Sequence, residues 1–178
     1  MQTQMQPAST TAVGLRYGIS LAVSSVLIDF LTRIAGFSFM TFGIVAGLGT
    51  VVVGTVWLVV AHKAFKQGNG GLMSFGQGVL IAIIMLLISG SVSGLFNYVY
   101  LHYIDAEFVA RMKTGMVEFM ERNNVPDDQI EQSAAKVDEM KKGLVASLFS
   151  GLSGGLALGL VLGLVVSLFT KRSQPEFE

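Results

Sequence analysis

Leu144–Thr170 reads LVASLFSGLSGGLALGLVLGLVVSLFT, a run without a single Asp, Glu, Lys or Arg. A hydrocarbon core about 30 Å thick is crossed by roughly 20 apolar helical residues, since in lipid each backbone polar group must be satisfied within its own segment. The run is long enough to span. Within it Ser147, Gly151, Gly155, Gly159, Gly163 and Ser167 fall at every fourth position, forming one ridge of a helix. Small residues on a ridge let another helix approach closely, and in lipid that contact takes over from the hydrophobic driving force. The ridge is therefore expected to pack against a neighbouring helix. A homo-oligomer seam or a pore lining are the alternative uses of the same surface.

Three further stretches are long and apolar enough to span: 15–36, 39–61 and 75–103, the last two free of Asp, Glu, Lys and Arg. Weaker small-residue pairs, Gly14/Gly18, Gly43/Gly47 and Gly90/Gly94, point to a compact bundle. Ahead of the third span, Gly68-Asn69-Gly70-Gly71 is a turn cluster, and Ser74 followed by Gln77 has the form of a capping box. The third span is about 43 Å as a helix, longer than the hydrocarbon is thick, so one end is expected in the headgroups. Tyr98, Tyr100 and Tyr103 gather there as an interfacial belt, and Trp57 and His62 read as interfacial side chains near the end of the second span. The polar stretch 1–14 has no basic n-region and no Ala-x-Ala site, so the first span is expected to be retained. Residues 171–178 read as a short solvated tail.

Composition agrees. The chain has 178 residues, 52% hydrophobic and 13% charged, with a mean hydropathy of +0.62, which argues against a water-soluble domain. Twelve basic against twelve acidic residues leave no net charge to neutralise a phosphate backbone, so nucleic acid is not expected as a partner. Without cysteine there is no disulfide, thiol nucleophile or thiolate metal site. No P-loop, HExxH, GxSxG or complete dinucleotide fingerprint occurs, so neither enzymatic activity nor a cofactor is expected.

The strongly charged region is 105–142, with six basic and nine acidic residues. Val109, Met112, Met116 and Phe119 recur at helical spacing, as do Ile130, Ala134 and Val137, and Asn123–Pro126 divides the two halves. Pro126 followed by Asp127 and Asp128 is a good helix start. The expectation is a helical hairpin. If the third and fourth spans run on into its arms, it stands roughly 25 to 30 Å out from the membrane as a stalk. Val109, Met112, Met116 and Phe119 would then be its contact stripe, packed on the other arm or shared with another chain.

Asp29 and Arg33 lie one helical turn apart in the second half of the first span. An ionisable group at the bilayer centre costs about 2.5 to 3.5 kcal/mol, so each needs a partner, and the simplest is the other. The functional alternative is an intramembrane polar site with Asn97, His102 and Asp105, which topology places on the same side. His102 and Asp105 alone make an incomplete metal site, and no metal is expected. Arg16, Lys63, Lys66, Lys171 and Arg172 share the opposite side. They sit beside span ends with few acids near, so the termini are expected in the cytoplasm and the hairpin outside.

The chain resembles the bacterial membrane family catalogued as domain of unknown function 4199. The likeness rests on Lys63-Ala64-Phe65-Lys66 leading through Gly-Gly into Ser74-Phe75-Gly76-Gln77-Gly78, then Tyr98-Val99-Tyr100, Ile104-Asp105 and the Lys171-Arg172 ending. Ala106 stands where that family often has proline, which favours a continuous helix there. The resemblance implies an all-α, four-helix transmembrane bundle with a helical-hairpin extension between the third and fourth spans, and supplies no catalytic residues. The expected role is a non-enzymatic, multi-pass protein of the bacterial inner membrane. It would be an assembly or partner-binding subunit that oligomerises through glycine-rich packing, with the lipid bilayer and another membrane protein or its own copies as partners. The alternative is a small oligomeric transporter or channel using Asp29.

Overall fold

The computed structural model describes residues 7–172. Four long helices cross from end to end: α1 (Thr10–Ile34), α2 (Phe39–Gly68), α3 (Phe75–Val99) and α6 (Leu144–Thr170). Between α3 and α6 come a five-residue π-turn, Tyr100–Ile104, and two short helices, α4 (Phe108–Arg122) and α5 (Asp127–Asp138). Length and apolarity qualify four helices as membrane spans, the third taking in the π-turn. The chain is an all-α bundle.

Local chemistry sets the helix ends. At α3 the Ser74 amide donates to Gln77 Oε1 (2.8 Å) and the Gln77 amide to Ser74 Oγ (3.2 Å), a reciprocal cap. Gly36, at φ +67°, makes the tight turn from α1 into α2, a conformation that costs other residues energy. Two helices outrun the apolar runs. α1 begins at Thr10, inside the stretch expected as a tail, and α2 continues to Gly68. The extension of α2 is held by packing, with Ala61 and Phe65 in the main core beside Leu58, Ile81 and Met85.

The most extensive helix pair is α3 with α6. The ridge of α6 lies antiparallel on a matching ridge of α3. A methyl on Gly151 would strike the Gly90 carbonyl, and one on Gly155 the Leu86 carbonyl. Further along, a Cβ on Gly163 would stand 2.9 Å from Ala82 Cβ. The backbones are in contact, and the ridge is used within the chain. Against the other side of α3, Gly14 and Gly18 of α1 receive Ile84 and Ile88. α2 rests mainly on α1, touching α6 through Gly54 and Leu162 and, beyond, through His62 and Thr170. Toward its start, Gly43 and Gly47 face open space.

His62 is not interfacial, and Trp57 is tied to α1. Trp57 Nε1 donates to Ser24 Oγ of α1 (3.1 Å). His62 is fully buried, with Nε2 donating to the Gly78 carbonyl (3.0 Å) and Nδ1 2.7 Å from Thr170 Oγ1. The apolar flanks of α2 concealed this, because its end is wrapped by the α3 start and the α6 end. Met73 and Arg172 form a backbone bridge there, and Asn69 Nδ2 donates to the Ala8 carbonyl, so both described ends of the chain lie together.

The hairpin does not stand out as a stalk. Asp105, with φ −143° and ψ 82°, ends the π-turn, and a non-helical stretch separates Asp138 from Leu144, so neither span continues into an arm. Ala106 lies in the break. Instead α4 folds back on the bundle, its Phe108, Val109 and Met116 joining Tyr100, Leu101 and Val137 in a second core against Phe30, Phe39 and Phe42. Met112 packs at its edge, whereas Phe119 is half-buried outside it; the stripe runs on through Met120. Burial of this aromatic patch is worth more than an exposed stalk, at about 25 cal/mol per Å² removed from water.

Adding bulk on the two faces of α6 separates the roles of its glycines. Gly151→Ala is expected to cost about 1–3 kcal/mol, the usual range for overpacking. Gly154→Ala, where nothing lies within reach of a Cβ, should be close to neutral. Unfolding titrations in mixed detergent micelles check both, and equal effects would show the seam to be looser than described.

Candidate functional site

Arg33 is the centre of the polar groups within the bundle. Its Nε donates to Asp29 Oδ1 (3.0 Å), and Nη2 lies 3.0 Å from Asp29 Oδ2 while donating to Asn97 Oδ1 (3.0 Å). Helix geometry places Asp29 one turn below Arg33, and the α1–α3 contact supplies Asn97. The arginine side chain is 8% exposed and that of Asp29 29%. Three aromatic rings close around the guanidinium, Tyr100 at 4.6 Å, Phe108 at 4.9 Å and Phe96 at 5.7 Å from their centroids. Nη1, buried and without a hydrogen-bond partner, is left to the ring faces. Such contacts contribute roughly 2 kcal/mol or more when desolvated. Arg33 thus ties α1, α3 and α4 together by charge, hydrogen bond and π-face.

Of the five residues expected to form a polar site, three converge: Asp29, Arg33 and Asn97. Asp105 is joined at one remove, accepting from the Tyr100 hydroxyl (3.3 Å) and pairing with Arg111. The Arg111 hydrogen bond and charge hold the Asp105 carboxyl below its usual range, more than offsetting partial desolvation. His102 stays apart. It lies against Tyr98, with Nδ1 2.9 Å from the Tyr98 carbonyl, one turn back on its own helix. Tyr100 also differs from its expected role: the π-turn carries it inward to 2% exposure beneath Arg33, while Tyr103 is 74% exposed. π-turns recur where a helix is re-aimed at a functional site.

Beside this cluster the bundle is hollow. A cavity of about 360 Å³ lies among all four long helices, with Ser25, Thr50, Ser89 and Ser150 giving it hydroxyls and Leu86 and Leu158 apolar walls. A second, of about 400 Å³, lies beneath the hairpin, between Asn97, Arg33 and the Lys136–Lys142 segment. Asp29, Ser93, Ser150 and Gly151 line both, so the two meet. The hollow lies where α3 and α6 are drawn together and α2 presents Ala46, Gly49 and Thr50, residues too small to fill the space between. Thr50, Ser150 and Gly154 are exposed on its open side. Sequence reading missed the aromatic cage and the hydroxyls. The one available signal was Phe96, Asn97 and Tyr100 at one-turn spacing near a buried charge.

Among the described residues no group of His, Cys, Asp and Glu is placed to hold a metal. The model of the family described as "Protein of unknown function (DUF4199)" matches residues 13–172. No curated protein and no solved structure matches.

Removing either charge tests the cluster. Asp29→Ala leaves a buried guanidinium uncompensated and should cost about 3 kcal/mol or more. Arg33→Leu should cost less, because Asp29 is the less buried of the two. Chemical unfolding in micelles measures both, and the reverse order would contradict the burial. Asp105 adds a pH dependence. Its folded pKa is lowered, so its contribution is complete above the unfolded value of about 3.9 and lost as pH falls through the lower folded one. Amide exchange in α4 is expected to rise in that acid window, and Asp105→Asn should abolish the rise.

Proposed function

Since the chain belongs to the DUF4199 family, whose description assigns no activity, we propose from its geometry that it is a non-enzymatic membrane subunit that works by binding. The carrying observation is the hollow among the four long helices, open between Thr50, Ser150 and Gly154 and holding polar groups within the length of the spans. Asp29 supports this over transport, because both its oxygens are engaged by Arg33 rather than free to take up and release a cation. Self-association through the α6 ridge would have to part α6 from α3. Any second copy or partner helix is better served by Gly43 and Gly47, where α2 has no neighbour within reach.

The setting proposed is the bacterial inner membrane, with both termini cytoplasmic and the hairpin extracytoplasmic. The cysteine-free chain allows a direct test. In intact cells an impermeant thiol reagent should label Gln129→Cys and spare Gln67→Cys; the opposite pattern inverts the topology.

The binding role is tested by filling the hollow. Protein extracted gently from native membranes should carry one stoichiometric companion. Gly154→Phe, placed where a Cβ meets nothing within 4 Å, should lose that companion while keeping the helical circular dichroism of the wild type. An empty wild-type protein, or a variant that keeps its companion, would overturn the role.

A further inference from the structure

The two joined cavities differ as the two ends of a lipid differ. The inner one lies between the spans, walled by Ile28, Val53, Leu86 and Leu158 with glycines between. The outer one lies where α6 begins, at the membrane surface, and carries Lys136, Glu139 and Lys142 from the hairpin segment. Arg33 and Asp29 neutralise each other, so two lysines facing one glutamate leave this vestibule positive. Lys142 Nζ donates to Ser150 Oγ (3.2 Å), a residue that lines both cavities, which holds its ammonium over the junction.

Lining and charge together narrow the occupant. The inner volume of about 360 Å³ falls within the range of small-ligand sites, roughly 300–1,000 Å³. Its mostly apolar walls, Ile28, Val53, Leu86 and Leu158, suit a stretch of acyl chain. The open side between Thr50, Ser150 and Gly154 lies on the spanning helices α2 and α6, which gives a lipid a sideways way in.

We propose that the hollow is a lateral site for an anionic phospholipid, with one acyl chain in the inner cavity and the headgroup phosphate between Lys136 and Lys142. This rests on the binding reading above and names its ligand. Basic side chains at such a surface draw anionic lipid, about five-fold in affinity for each.

The full-length protein in nanodiscs of equal phosphatidylglycerol and phosphatidylcholine, released into a native mass spectrometer, gives the test. One phosphatidylglycerol should be retained in preference. Lys136→Gln with Lys142→Gln, both on the surface segment, should lower that preference about five-fold for each lysine removed. Gly154→Phe should lose both lipids, and free glycerol phosphate should fail to compete, because the chain is part of the ligand. Equal retention of the two lipids, an unchanged preference in the lysine variant, or competition by glycerol phosphate would each overturn the lipid site. If the companion from native membranes is a polypeptide instead, the lipid site falls while the binding role stands; if there is none, both fall.

Discussion

Backbone contact between α3 and α6 is the constraint on which the remaining geometry depends. Lipid tails are as apolar as leucine, so burying leucine between spans gains little, and close approach of bare backbone is what holds two helices together. Gly151, Gly155, Gly159 and Gly163 supply that approach on α6, and Gly90 and Gly94 answer it on α3. Helices joined this tightly leave α2 to pack on α1 instead. The result is a bundle packed around His62 at one end and beneath the hairpin at the other, with a hollow between.

Beside that hollow the protein buries a charge. A lone arginine at that depth would be expelled, yet Arg33 is nearly buried, since Asp29, Asn97 and three aromatic rings share its charge. Two of those rings, Tyr100 and Phe108, lie on either side of the break at Asp105. The break thus does two things at once. It turns Tyr100 inward beneath the guanidinium and brings α4 back over it, so the hairpin is fastened to the membrane domain rather than held away from it.

How legible this was depended on the range of each interaction. The capping box of Ser74 and Gln77, the four apolar runs and the one-turn spacing of Asp29 and Arg33 are local, and short-range rules suffice for them. The stalk was misjudged because arm length was extrapolated from helix rise while the aromatic residues Phe30, Phe39 and Phe42, which draw α4 down, are distant in sequence. The burial of His62 is hidden from the sequence for the same reason: its partners, Gly78 and Thr170, come from other helices.

Sequence by itself determined the medium, the number of spans and the small-residue ridge, because solvation by lipid and helical periodicity act residue by residue along the chain. Tertiary structure alone decided which helix that ridge faces, that the hairpin folds back, and that a hollow remains beside Arg33. Those outcomes follow from how whole helices divide a limited set of contacts, and no single stretch of chain carries that division.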